Sequence, residues 1–299
     1  MQRAKFILSK KKVLEQYKKV KEAADVVSYS SKTNQDVTKI LEQETDCLFS
    51  VHRYDELQHV KDMSRIIFLA QAWDENFIKK IIDMGINYFV VDNETDLDVL
   101  LDFLEKNDVE INLLLRLKLK ELTVRTEKYF VFGMPSETIS KRIKELRNNK
   151  KIKQLGVHFH RKTQNLAEWN LKYEISNVFD ENVLKMIDVV NIGGGIPSVY
   201  ANVNEDVIPG IFEKIKAFKS WLKTYDIKMI IEPGRAIAAP SCKLKTQIKA
   251  IHGNNIIVSA SVYNSDMDAL IVPVKLLVEG ELAKGEGEPY VIKGYTPCS

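Results

Sequence analysis

The sequence predicts an α/β fold: a (β/α)8 TIM barrel followed by a second, partial all-β domain at the C-terminus. Three observations predict it. Eight short strand candidates recur between residues 26 and 232, most of them nearly continuous apolar runs, as strands buried on both faces should be. Helical patterns lie between nearly all of them, and eight parallel strands with intervening helices is the count for a closed barrel. After Pro240 the helices give way to strands and turns. A doubly wound sheet is the competing arrangement. The barrel is preferred because the eighth candidate ends in polar chemistry that closure would bring to the first. The expected division is a barrel over 1–240, with residues 1–10 a candidate to pair with the β domain, and a partial β domain over 241–299.

Taken in order, residues 6–9 read as a short strand and 10–24 as a helix, with Val13, Tyr17, Val20 and Ala24 at helical spacing. The eight strand candidates are 26–31, 46–51, 65–70, 88–92, 110–117, 154–159, 187–192 and 228–232. Helices are expected over 36–44, 55–63, 74–84, 94–106, 136–149 and 207–225. Asp74 and Glu75 open one of these and Gly85 closes it, as capping chemistry requires. Two connections, about 119–135 and 161–180, are too long to be simple links, and such loops are often functional. Beyond Pro240, strands are expected over 242–251, 256–262, 271–279 and 289–293, with a hairpin turn at 285–288.

Composition narrows the function classes. Of 299 residues, 45% are hydrophobic and 28% charged, an ordinary globular balance. The formal net charge of +3 is small, and its lysines and arginines are dispersed among acids, so nothing points to nucleic acid. No apolar run approaches the length of a membrane span, and the first residues do not read as a signal peptide. Cys47, Cys242 and Cys298 are odd in number and far apart. That spacing fits reduced thiols and a cytoplasmic setting, and it excludes a clustered zinc site.

In a barrel, chemistry collects at the carboxyl ends of the strands. Those ends carry Lys32, Arg116, His158 with His160, the run Gly193-Gly194-Gly195, and Glu232-Pro233-Gly234-Arg235; the second candidate begins with Asp46. A lysine in a barrel mouth can act as a Schiff-base amine. Glycines at a strand end let backbone N–H groups approach an anion, and an arginine adds a planar fork of donors. The third glycine of a dinucleotide fingerprint is missing, since Ser198 stands there. An amine, a phosphate cradle, an imidazole able to stack on a flat ring and an acid able to hold a ring nitrogen describe a pyridoxal phosphate site.

The motifs YSSKTN (29–34), GVHFH (156–160), NIGGGIP (191–197), EPGR (232–235) and GYTPCS (294–299) resemble, in order and spacing, the fold-type III decarboxylases of the ornithine, diaminopimelate and arginine decarboxylase group. The resemblance implies that Lys32 attaches the cofactor, pyridoxal 5'-phosphate, and that His160 stacks on its ring. It implies that Thr163, where the family usually has Ser, joins Gly194, Gly195, Gly234 and Arg235 in holding the phosphate. Glu232 would pair with the pyridine nitrogen. Cys298 would lie in the neighbouring subunit's active site and return a proton, which makes a homodimer the expected assembly.

The implied activity is decarboxylation of an amino acid: ornithine, lysine, arginine, diaminopimelate or a carboxy-polyamine. Amino-acid racemisation on the same fold is the first alternative, and Glu232 argues against it, because racemases of the alanine type place an Arg at the ring nitrogen. A non-catalytic cofactor-binding or regulatory paralogue is the second. The sequence departs from the family at Arg161 and Lys162, which replace small residues and are expected to narrow or recharge that loop, and after Tyr263, where Asp266 and Asp268 are available as specificity acids. The family also continues beyond the equivalent of Ser299 with more strands and a late Tyr. The 299-residue chain is therefore expected to bind cofactor with low or absent decarboxylase activity by itself and to be prone to self-association.

Overall fold

A computed structural model of the protein describes residues 3–69, 71–119, 132–272, 274–283 and 285–296, with the backbone alone at 268 and 271. A short strand β1 (Lys5–Leu8) leads into helix α1 (Lys10–Ala23). Eight parallel strands then close into a barrel: β2 (Val26–Ser30), β3 (Leu48–Val51), β4 (Ile66–Leu69), β5 (Tyr88–Val91), β6 (Ile111–Arg116), β7 (Ile152–His158), β8 (Val189–Asn191) and β9 (Lys228–Ile231). Each expected strand is present. Closure pairs Val26 with Ile230 and Val27 with Ile231, and the Ser30 N–H donates to the Pro233 carbonyl (3.1 Å), so the first and last strand ends meet.

The helices are α2 (Gln35–Glu44), α3 (Glu75–Asp83), α4 (Glu94–Lys106), α5 (Ser136–Leu146), α6 (Leu171–Val178), α7 (Glu181–Leu184), α8 (Val207–Lys223) and α9 (Arg235–Ser241). Their starts are written locally. Asn34, Asp74 and Asn93 each accept a backbone N–H from the first turn of the helix that follows, at 2.8–3.3 Å. Such caps contribute about 1 kcal/mol each. Gly85, at φ +95°, ends α3 as expected. Two readings change. Residues 55–63, expected to be a helix, form a tight 3-10 turn over Tyr54–His59 instead. The long connection 161–180 contains α6, whose Leu171 and Ile175 are buried.

The packing has two layers. Outward-facing strand residues such as Tyr29, Phe49, Phe68 and Phe89 pack beneath the helices. The inward-facing set alternates with them and fills the barrel with Ile67, Leu69, Tyr88, Val90, Leu114, Val189 and Ile230. Gly156 faces inward where no side chain fits: a Cβ there would lie 2.1 Å from the Val189 carbonyl oxygen. Above this apolar plug the inward positions turn polar, at Ser50, His158, Asn191 and Glu232, all buried.

Beyond α9 the chain forms β10 (Cys242–Lys245), β11 (Ile248–His252) and β12 (Asn255–Val258), then the short helices α10 (Val262–Ser265) and α11 (Asp268–Ile271), and β13 (Val291–Lys293). β10 pairs antiparallel with β1, while β11, β12 and β13 make a separate sheet. The stretch expected as one strand over 242–251 is thus divided between two sheets. Among the described residues of the strand expected over 271–279 no strand forms; 274–278 carry no regular structure.

Candidate active site

The carboxyl ends of the strands enclose a cavity of about 380 Å³ lined by Lys32, His52, Leu69, Gln71, Val90, Asp92, Arg116, Phe132, His158, His160 and Glu232. Lys32 stands on the 3-10 turn Ser31–Thr33 that follows β2 and is exposed to this space. Asp46 is not here. It lies before β3, at the opposite end of the barrel, paired with Lys21 at 2.8 Å.

Glu232 is the most heavily supported group. It is 4% exposed, yet its carboxylate receives the Ser50 hydroxyl (2.8 Å) and the Asn191 amide (2.9 Å) on Oε1 and faces His158 Nε2 (3.4 Å) on Oε2. A hydroxyl has one proton to give, so the buried Ser28, 2.7 Å from Ser50, is the donor in that pair. Ser28, Ser50 and Glu232 thus form a directed chain. Burial pushes Glu232 up, but His158, His52 and the Asn191 amide outweigh it and hold the carboxyl well below the usual range. His158 is fully buried, and burial pushes it below its ordinary value, so it is neutral and donates through Nε2–H. An imidazole that is neutral cannot also lend Glu232 a positive charge. The hydrogen bonds are therefore the part of the stabilisation that stands, and they suffice for an anion.

His160 is held the opposite way round. Its Nδ1 accepts the Gly194 N–H at 3.1 Å, which requires an unprotonated nitrogen. The surrounding protein acts in the same direction and lowers it to about 3, although one side of the ring stays open to the cavity. The glycines are demanded by crowding. A Cβ on Gly194 would lie 2.9 Å from the Glu232 carbonyl oxygen, one on Gly195 2.7 Å from that of Lys162, and one on Gly234 2.4 Å from Thr33 Oγ1. Gly195, at φ +90°, also sits where side-chain-bearing residues are strained.

Beside the glycines, the Arg235 Nε donates to Thr163 Oγ1 (2.9 Å) and its Nη1 to the Tyr200 hydroxyl (3.2 Å). Gln164 pins the loop with two bonds to the Ser198 backbone, at 2.7 and 2.9 Å, and the buried Ser198 hydroxyl has no partner among the described residues. Arg161 does not recharge the cavity. It is 3% exposed and turns inward to pair with Glu174 on α6. On the opposite wall Asp92 receives Arg116 Nη1 (3.0 Å), Gln71 Nε2 (2.7 Å) and the Gly133 N–H (3.2 Å), and Arg116 lies over the Phe132 ring.

Lys32, His160 and Glu232 therefore share one cavity, and Thr163, Gly194, Gly195, Gly234 and Arg235 form an adjoining cradle joined to it through His160. Cys298 lies outside the described residues. Asp266 ends α10 and does not line the cavity, and the side chain of Asp268 is outside the description. Ser28, Ser50, His52, Asp92, Asn191 and Tyr200 were not foreseen. The signal for the serines was present: a single small polar residue at an alternate position in otherwise apolar strands, VVSYS and LFSV.

A closed parallel barrel with a lysine, a glycine–arginine cradle and a buried anion at one mouth defines a pyridoxal phosphate-binding barrel. Residues 10–239 match the family described as pyridoxal-dependent decarboxylase, pyridoxal binding domain, and the chain belongs to it. The diaminopimelate decarboxylase of Halalkalibacterium halodurans is 28% identical over 204 residues, 62% of this chain and 46% of that protein. That of Aquifex aeolicus is 23% identical over 225 residues, 67% of this chain and 53% of that protein. The chain thus spans about half the length of these relatives. Two solved structures share the fold. Diaminopimelate decarboxylase from Helicobacter pylori, complexed with L-lysine, has a TM-score of 0.78 at 18% identity, covering 99% of this chain and 80% of that one. Lysine/ornithine decarboxylase from Vibrio vulnificus, complexed with cadaverine, has a TM-score of 0.76 at 22% identity, covering 98% and 81%. No described helix is long and apolar enough to cross a membrane.

The family's cofactor is pyridoxal phosphate, and the residues fit it. Three of the five cradle residues are glycines without a Cβ, the Ser198 hydroxyl is buried with no partner among the described residues, and Glu232 is a buried anion that no cation among the described residues neutralises at hydrogen-bond distance.

Proposed function

We propose that this protein decarboxylates an amino acid with pyridoxal phosphate, and that the chain supplies the cofactor-holding barrel. The single observation that carries the reading is the buried Glu232 anion, held by Ser50, Asn191 and His158 at the mouth that also carries Lys32. Lys32 would attach the cofactor through its amine. His160, neutral and fixed by Gly194, would lie against the ring. Thr163, Gly194, Gly195, Gly234 and Arg235 would hold the phosphate. When bound, the cofactor supplies an electron sink for the bond pair left behind as carbon dioxide departs. Glu232 would keep the ring nitrogen protonated. An ion pair at near contact contributes about 4 kcal/mol at an effective dielectric of 20, enough to raise the nitrogen's pKa by a few units. Racemases of the alanine type pair that nitrogen with an Arg, which weakens the electron sink, so the acid at Glu232 favours decarboxylation.

The same reading divides the chain at 240/241 and makes the protein a cytoplasmic homodimer. In it, Cys298 reaches the neighbouring site and returns the proton. The substrate would be ornithine, lysine, arginine, diaminopimelate or a carboxy-polyamine, which places the enzyme in amino-acid or polyamine metabolism. The test combines the absorbance spectrum of the purified protein with carbon dioxide release from each amino acid. Borohydride reduction should fix the label on Lys32, and Lys32→Ala should lose it. Label on another lysine, or racemisation without carbon dioxide, would overturn the reading.

A further inference from the structure

Of the three imidazoles in the cavity, two are committed. His158 gives its Nε2–H toward Glu232, and His160 gives its Nδ1 lone pair to Gly194. The third, His52, follows β3 and is not absorbed by any of the roles above. Its buried Nδ1 makes no hydrogen bond among the described residues and faces the Glu56 carboxylate at 3.6 Å. Glu56 is itself 5% exposed and fixed by the His52 backbone N–H at 3.0 Å. This arrangement orients the ring through one nitrogen and leaves Nε2 for exchange with the cavity that His52 lines. The turn that carries Glu56 also carries His59, whose ring meets Ser31, the neighbour of Lys32, at 3.3 Å. Burial pushes Glu56 up, but His52 and the charge of Lys32 outweigh it and hold the carboxyl below its ordinary value. Among the described residues, the charged and titratable groups that share the cavity with His52 are Lys32 from the turn after β2, Asp92 after β5, Arg116 from β6, His158 and His160 at the end of β7 and Glu232 after β9, with Arg53 and Glu56 on its own turn.

We propose that His52, oriented by Glu56, is the proton acceptor for Lys32 when that lysine attaches the cofactor. A lysine ordinarily carries a proton in neutral water and cannot form a carbon–nitrogen bond until it is lost. The Lys32 ammonium gives one proton to His52 Nε2, and the imidazolium passes it to solvent. The neutral amine then bonds the aldehyde carbon, and its two remaining hydrogens leave with the aldehyde oxygen as one water. The inference rests on the pyridoxal phosphate reading but not on which amino acid is decarboxylated.

The experiment follows attachment by absorbance after pyridoxal phosphate is added to hydroxylamine-stripped protein, as a function of pH. The wild-type rate should fall on the acid side as an imidazole takes up its proton. His52→Gln should attach about 10²-fold more slowly, the usual size of a general-base effect, and lose that limb. His52→Ala should recover at least part of the rate when imidazole is added to the buffer, which a packing role would not produce. Melting temperatures equal to wild type show that both variants fold. If His52→Gln attaches with the wild-type profile, or added imidazole leaves His52→Ala unchanged, the role of His52 is overturned while the cofactor reading stands. Wild-type protein that never attaches the cofactor would overturn both.

Discussion

Glu232 Oε2 and His158 Nε2 meet 3.4 Å apart at the top of the barrel, with both side chains out of reach of bulk water. The contact has a direction, because His158 is neutral and Glu232 is the anion. Glu232→Gln keeps the shape and removes the charge. We expect the variant to retain cofactor and to lose turnover by about 10²-fold or more, the usual range for lost charge stabilisation. Unchanged turnover in a variant that still binds would sink the role given to this acid.

The chain Ser28–Ser50–Glu232 makes a prediction about coupling. Ser50→Ala removes a donor from a buried anion and an acceptor from Ser28, and should cost about 1–3 kcal/mol in urea unfolding. Once Ser50 is gone, Ser28 has lost its partner, so Ser28→Ala should cost markedly less in that background than alone. Strict additivity in the double-mutant cycle would show that the two hydroxyls act independently.

Gly234 tests barrel closure. Gly234→Ala would drive its Cβ to within 2.4 Å of Thr33 Oγ1, one residue from Lys32. We expect loss of retained cofactor, and partial recovery in Gly234→Ala/Thr33→Ala, where the obstructing hydroxyl is absent. Failure to recover would place the cost in the backbone and not in this contact.

Stability should fall as pH drops from about 7 toward 3. Unfolded imidazoles take up a proton near pH 6.5. In the native state His158 is held below its ordinary value and His160 is lowered to about 3, so the native state binds fewer protons across that window. Glu232 acts the same way: its depressed carboxyl contributes stability above the ordinary carboxylate value, and that contribution is lost as pH falls further. His160→Asn removes one such group, and its melting temperature should depend less steeply on pH between about 4 and 7. A slope equal to wild type would exclude His160 as a source.

Much of this protein was legible in the residues alone. Strands such as RIIFLA and INLLLR announce themselves because a strand buried on both faces must be apolar throughout, and that demand is local. Caps such as Asp74 act within one turn. Lys32, His160, the glycine run and Glu232-Pro233-Gly234-Arg235 are short contiguous signals, and closure placed Lys32, His160 and Glu232 in one cavity with the cradle beside it. What the residues could not decide depends on partners distant in sequence. Ser50 and Glu232 are 182 residues apart and bond only because β3 and β9 both flank β2 in a closed barrel. Arg161 looked like a charge added to the site until α6 supplied Glu174 and drew it inward. His52 reads as an ordinary loop histidine until the fold sets its ring against Glu56 in the cavity that Lys32 also lines. Local pattern determined which segments are strands and which short motifs stand at their carboxyl ends. The tertiary structure decided which polar side chains face inward together, because a buried polar group is tolerated only where the fold brings it a partner.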